Sequence, residues 1–318
     1  MKAIIYHKYG SLGELKLQVK DKPQPEENEV LIKVLATSVN KADWFLLNGK
    51  PFPVRLMAGF FKPKNQILGA DVSGVVEKVG GGVTQFKVGE EVFGDLSGSG
   101  FGGFAEYVTA DEKLVAKKPS SLSFEETATL GMAAVTALQG LRDKGRIKRG
   151  HKVLINGASG GVGTFAVQIA KSFGAEVTAV CSTSKVEQSY YLGAEKVIDY
   201  KKENFTKSAD QYDLILDVVG NESLTKLLKL LNPGGHYVSV PFSMSAMILA
   251  PWIAATQDKK VHSLLATPNQ KDLEFLGDLA EKGDIKPVIY KTYTLDDVPE
   301  ALQVMGSGHA NGKIVITI

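Results

Sequence analysis

The chain has 318 residues, 44% of them hydrophobic and 23% charged, and a formal net charge of +2. That is the composition of a soluble globular protein of about two domains, and the small net charge with scattered lysines leaves no footprint for nucleic acid. The single cysteine, Cys181, excludes a disulfide within the chain and a cysteine-rich structural zinc site.

The opening MKAIIYHKYG reads as a strand rather than as the apolar centre of a signal peptide. No run reaches the roughly 18 apolar residues of a membrane span. The most apolar stretch, VPFSMSAMILAPWIAA, is interrupted by Pro241 and Pro251. A cytoplasmic protein is expected. Through residue 122 the chain consists of short β-branched runs (NEVLIKVLATSVN, DVSGVVEKVGGGV, GEEVFGDL, GFAEYVTA) divided by glycine or Asn/Asp turns. This texture predicts a partly open β-barrel. Next, SFEETATLGMAAVTALQGLRDKG predicts a helix, with Ser123 at the N-cap and Glu126 completing a capping box.

Strands and helices then alternate. HKVLING precedes a helix VGTFAVQIAKSFG, and AEVTAVC precedes a helix SKVEQSYYLG. KVIDY and YDLILDVVG follow, then a helix ESLTKLLKLLNPGG and a strand HYVSVPF. Repeated βαβ units mean a parallel sheet with right-handed crossovers. The tail PVIYKTYTLDDVPEALQVMGSGHANGKIVITI returns to strand, helix and strand, and is expected to rejoin the first region. The predicted class is α/β: a β-rich domain, residues 1–122 completed by 286–318, split around a doubly wound Rossmann domain, residues 123–285.

Residues 157–163 read GASGGVG, between the apolar KVLIN and the helical run. Ala158, Gly160 and Gly163 take the three small-residue positions of the dinucleotide fingerprint. These serve a tight turn, close approach of backbone to a pyrophosphate, and close packing of helix on strand. The free N–H groups and positive dipole end at the start of that helix suit phosphate, so Ser159, Gly160, Gly161 and Val162 are the expected contacts. A ribose with a free 2′-hydroxyl needs an acid about 20 residues past the fingerprint, at the end of the second strand. That register lands on Ser182 in AVCSTSK, where there is no carboxylate. Ser182, Thr183 and Lys185 instead offer donors and positive charge to a 2′-phosphate, and Tyr200 is a further candidate for the same edge. The expected cofactor is NADPH. Gly220, in DVVGNES, ends a strand where such sheets place ligands.

The motifs NKAD, GADVSGVVEKVG, VGEEVFG, GGFAEYV, NGASGGVG and GHANGKIVI span essentially the whole chain. In them the chain resembles the medium-chain dehydrogenase/reductase superfamily and, within it, the zinc-free quinone oxidoreductase group. The resemblance implies a GroES-like domain split around the Rossmann domain. The catalytic zinc ligands of other members fall on Asn40, Ala70 and near Met132, none of which supplies a thiolate or imidazole. The five histidines show no ligand spacing, and no metal is expected. By the same resemblance, Asn40 is expected to donate its amide N–H to a substrate oxygen. Lys41 replaces the usual proline, either as a cation near that oxygen or as a solvent-facing side chain. Asp43 belongs to the motif and either acts there or holds its loop. His309, Ala310 and Asn311 resemble a stretch that closes over NADPH in the group, and Lys313 beside them is a further candidate. Thr136 is expected near the nicotinamide. Trp44 and Phe242 are walls for a flat substrate or members of the core.

Without a Lewis acid, hydride transfer needs an acceptor that spreads its charge, such as a quinone or an α,β-unsaturated carbonyl. The expected function is an NADPH-dependent reductase of a small apolar substrate of that kind. Water is favoured as the proton source, since nothing in the sequence places Tyr107 or Tyr237 beside a substrate carbon. The alternatives are an enoyl reductase of a larger acyl substrate and an NADPH-binding structural, sensing or assembly protein. The resemblance also implies a homodimer, with KKVHSLLAT as the candidate edge strand.

Overall fold

Two hydrophobic periods run through the chain, and each builds its own sheet. In the computed structural model, residues 1–308 and 310–318 are described. The strands are β1 (Lys2–Ile5), β2 (Lys16–Val19), β3 (Glu29–Val39), β4 (Asp71–Val79), β5 (Glu91–Asp95), β6 (Tyr107–Asp111), β7 (Val115–Lys117), β8 (Lys152–Asn156), β9 (Glu176–Cys181), β10 (Lys196–Asp199), β11 (Tyr212–Asp217), β12 (Leu231–Ser239), β13 (Lys260–Ser263), β14 (Ile289–Thr294) and β15 (Lys313–Thr317). They fall into two compact units. The first comprises Met1–Ala133, Thr267–Gly283 and Pro287–Ile318, and the second comprises Ala134–Ala266 and Asp284–Lys286.

In the first unit the order is β14-β15-β3-β4-β5-β7, with β6 also on β3. Only β14 and β15 run parallel; the other neighbours are antiparallel. Burying alternate β-branched residues against one another holds the sheet. Val30, Ile32, Val34, Val72, Val76, Val92 and Val108 form one cluster, and Ile4, Tyr6, Val39, Leu47, Phe104, Val298, Ile314 and Ile316 another. The register matters for the site. Val39 faces Ile314, and Asp71 faces Asp95. The ends of β15, β3, β4 and β5 therefore lie side by side, bringing Lys313, Asn40, Asp71 and Asp95 to one rim.

The second unit is a six-stranded parallel sheet, β10-β9-β8-β11-β12-β13. Strands with near-continuous apolar runs, such as the fully buried Leu214, Ile215 and Leu216 of β11, suit a sheet covered on both faces. Read in chain order this is the 3-2-1-4-5-6 winding, which reverses between β8 and β11 and places ligands at the carboxyl ends there. Gln168 explains why residues 284–286 pack with this unit: its amide donates to Lys286 O at 3.0 Å and accepts from Lys286 N at 2.8 Å.

Two local expectations differ, and one helix was not expected. The Ser123 capping box is present, but its helix runs only over Phe124–Thr127, and the chain departs from helical geometry at Gly131 (φ −60°, ψ −112°). The helix expected through LNPGG stops at Leu228, because Leu231 pairs with Tyr212 and Gly234 has φ 75°. Met244–Gln257 is helical with Pro251 inside it. Among the described residues, no helix is long and apolar enough to cross a membrane.

Candidate functional site

The glycine loop leaves β8 through Gly157 at φ 88° and opens the helix Gly161–Ser172. Gly157 and Ala158 both donate to Val180 O, at 3.2 and 3.1 Å, pinning the loop to β9. A Cβ on Gly163 would lie 2.0 Å from Gly157 O, so the helix approaches this closely only because the residue is glycine. On Gly160 a Cβ would meet nothing nearer than 3.8 Å, leaving its side of the loop open. The first N–H groups of the helix, at Gly161 and Val162, have no intrahelical acceptor by geometry. An open, glycine-lined loop at a helix start fits the pyrophosphate of a dinucleotide.

Beneath the loop lies Asp217, the fully buried last residue of β11. It pairs in register with Asn156 of β8, at the point where the strand order reverses. Its Oδ1 accepts from Asn156 Nδ2 (2.9 Å), Val219 N (3.2 Å) and Gly220 N (2.9 Å). Its Oδ2 accepts from Tyr237 Oη at 2.9 Å. Asn156 also reaches Asn221 at 3.0 Å. This network fixes Gly220, at φ 72°, and leaves the Tyr237 hydroxyl engaged. Burial and the neighbouring carboxylate push the Tyr237 phenol well above its ordinary range, which disfavours it as a phenolate.

Ser182, Thr183 and Lys185 form a short turn directly after β9, and Tyr200 is exposed at the end of β10. The structure adds a carboxylate that counting along the second strand misses. Asp199 of β10 pairs in register with Cys181. It accepts from Thr183 Oγ1 at 2.6 Å and Lys201 N at 3.0 Å. These bonds, led by that from Thr183, hold its acid below the usual range. The signal was present in VIDY, but only the pairing of β9 and β10 brings it beside Thr183.

In the first unit, the rim residues form one buried polar cluster. Lys313 is 1% exposed and Asp71 is fully buried. Lys313 Nζ donates to Asn40 Oδ1 (2.6 Å) and Asp71 Oδ2 (3.1 Å). Asn40 Nδ2 donates to Asp71 Oδ2 at 2.9 Å, and Ser38 Oγ donates to the same oxygen. Met132 N reaches Asp71 Oδ1 at 2.7 Å. A Cβ on Gly131 would lie 2.3 Å from that oxygen, which explains the glycine there. Asp43 accepts from Asn40 N (2.8 Å) and Gly69 N (2.9 Å), closing the turn after β3. Burial, above all, pushes the Asp43 carboxyl up to about 7, opposed by those two bonds. Burial followed by the Asp71 charge does the same to Asp95.

Other expected residues fall apart from these clusters or into the core. Lys41 is exposed, with its ammonium 5.9 Å from the Phe45 ring centre. Trp44 packs against the first unit's core and over Gly306. Phe242 is exposed and Thr136 is buried. Tyr107 is half-buried, with the Lys22 ammonium over its ring. Ala310 is half-buried against the core and Asn311 is half-buried. His309 lies outside the described residues. Sequence reasoning gave Asp71 no role and set Lys313 beside the cofactor, whereas the structure buries both with Asn40.

Comparison with known proteins gives the same architecture. An alcohol dehydrogenase GroES-like domain matches residues 26–120, and a zinc-binding dehydrogenase domain matches residues 192–316. The chain is 37% identical to 2-methylene-furan-3-one reductase of Solanum lycopersicum, covering 99% of this chain and 79% of that protein. It is 33% identical to the chloroplastic NADPH-dependent alkenal/one oxidoreductase of Arabidopsis thaliana, with the same 99% and 79% covered. The solved quinone oxidoreductase of Coxiella burnetii superposes with a TM-score of 0.90 at 31% identity, over 100% of this chain and 99% of that one. Relatives of this similarity, spanning nearly the whole chain, agree with a nicotinamide-dinucleotide fold beside a GroES-like one, and the chain belongs to the medium-chain dehydrogenase/reductase superfamily of oxidoreductases.

Proposed function

We propose that the protein is a zinc-independent reductase that uses NADPH to reduce a quinone or an α,β-unsaturated carbonyl. The observation that carries this reading is the donor set on the rim of the GroES-like sheet. It consists of an amide, an ammonium and a carboxylate already bonded to each other, with no thiolate or imidazole among them. Among the described residues, no group of three His, Cys, Asp or Glu side chains is arranged to hold a metal ion. On this reading the chain shares the fold of the zinc-binding dehydrogenase domain and works without its zinc. The names of the relatives, an enone-type reductase and a quinone oxidoreductase, support a conjugated acceptor.

Bound NADPH supplies hydride from its nicotinamide ring. Ser159, Gly160, Gly161 and Val162 would hold its pyrophosphate on backbone N–H groups. Ser182, Thr183, Lys185 and Tyr200 would meet its 2′-phosphate, the Thr183 hydroxyl turning its hydrogen from Asp199 to the phosphate to do so. Gly220, Ala310 and Asn311, together with His309, complete the proposed cofactor contacts. Asn40 would donate to the substrate oxygen on which negative charge develops, and a conjugated acceptor keeps that charge low enough for neutral donors. Lys41 remains a second candidate beside it. Cytoplasmic location, and a homodimer through the free edge of β13, belong to the same reading.

The test follows NADPH consumption against short quinones, enones, enals and saturated aldehydes. Quinones and conjugated carbonyls should be reduced and saturated aldehydes left untouched. Preference for saturated aldehydes, or NADPH binding with no turnover on any acceptor, would overturn the proposal.

A further inference from the structure

A lysine ammonium in a protein core is costly unless it is paired and fully hydrogen-bonded. Lys313 is paired by a carboxylate and an amide on separate segments. Asp71 alone joins the end of β3, the start of β15 and the Gly131 break, accepting from Ser38, Asn40, Lys313 and Met132. The arrangement also settles the orientation of Asn40. An ammonium can only donate, so the atom facing Lys313 at 2.6 Å must be the amide oxygen. An ionised carboxylate can only accept, so the –NH2 faces Asp71. One amide hydrogen is thereby committed to Asp71. The other points toward Ser38 O at 3.4 Å, a long and weak bond, and Asn40 keeps 6% of its surface exposed.

We propose that Lys313 is a positioning residue for the reduction: its ammonium polarises the Asn40 amide through Oδ1 and, with Asp71, holds the amide so that the second N–H exchanges its long bond to Ser38 O for the substrate oxygen. A cation on an amide oxygen draws electron density from its nitrogen and strengthens the N–H as a donor, as linked hydrogen bonds polarise one another. The inference rests on the proposed reductase reading and adds to it the source of positive charge behind Asn40.

The test is a double-mutant cycle on kcat for enone reduction, with NADPH affinity and thermal unfolding followed alongside. Asn40→Ala removes the donor and should lower kcat by roughly 10²-fold, the low end for loss of an oxyanion donor. Lys313→Met combined with Asp71→Asn keeps the cluster electrically neutral and should lower kcat by about tenfold or more, with NADPH affinity unchanged. Added to Asn40→Ala, it should lower kcat no further, because its effect runs through that amide. Lys313→Gln is a gentler second variant. It is one bond shorter, keeps an amide N–H donor and loses the charge, so kcat should again fall. Full multiplication of the two losses, or wild-type kcat in a folded Lys313→Gln protein, would overturn the positioning role. A wild-type protein that reduces no conjugated acceptor would instead overturn the reading beneath it.

Discussion

Each unit has a fully buried aspartate at a strand end, Asp217 in one and Asp71 in the other, and the two are satisfied in opposite ways. Asp217 is held by an amide, a phenol and two backbone N–H groups, with no cation bonded to it among the described residues. Asp71 faces a buried ammonium and shares it with Asn40. The first is a brace for the loops that present Gly157 and Gly220. The second is a charge-balanced cluster whose members also orient a candidate donor. A buried carboxylate thus serves as scaffold where neutral donors suffice, and as part of a charge-balanced site where a cation must be kept dry.

The contrast can be broken most sharply by removing each carboxylate. Asp71→Ala strands the Lys313 ammonium and should cost about 3–5 kcal/mol of stability. Asp217→Asn leaves only neutral groups imperfectly paired and should cost about 1–3 kcal/mol. Urea unfolding of the two variants checks the order. Equal losses would mean that the ammonium is not the source of the difference.

Smaller effects separate the units by pH. In the first unit, Asp43 and Asp95 sit near 7 when folded, above ordinary carboxylates. The folded form therefore binds protons that the unfolded chain releases, and this contribution to stability is lost as pH rises from about 4 through 7. In the second unit, burial lowers His262 to about 4 and also lowers His236. There the unfolded chain binds the extra protons, so stability is lost as pH falls below about 6.5. The urea midpoint of Asp95→Asn should lose part of its slope near pH 7, and that of His262→Asn part of its fall below pH 6. A profile unchanged in both variants would contradict the assignment.

The cofactor end gives the smallest and most specific effects. Lys185→Ala should weaken NADPH about tenfold, the worth of one charge-assisted bond, and leave NADH nearly unchanged. Asp199→Asn should shift preference further toward NADPH by removing a like charge near the phosphate. Titration with both cofactors reads each change; equal effects on NADPH and NADH would place the 2′-phosphate elsewhere.

The glycine loop was legible because its geometry is local: GASGGVG between a strand and a helix carries the whole constraint. The parallel sheet was legible for the same reason, each βαβ unit announcing itself in its own period. The Lys313 cluster was not legible, because Asn40, Asp71 and Lys313 are far apart in sequence and meet only when β15, β3 and β4 pair in register. Asp199 shows the same limit over a shorter distance, since its place beside Thr183 depends on how β9 and β10 pair. The helix Met244–Gln257 was obscured by Pro251, which the helix accommodates.

Metal-independent reduction is tested most directly by assaying the chelator-treated, metal-analysed protein for NADPH-dependent reduction of an enone and of a short quinone. Full activity with less than stoichiometric zinc is the predicted result. Activity lost on chelation and restored by added zinc would contradict it.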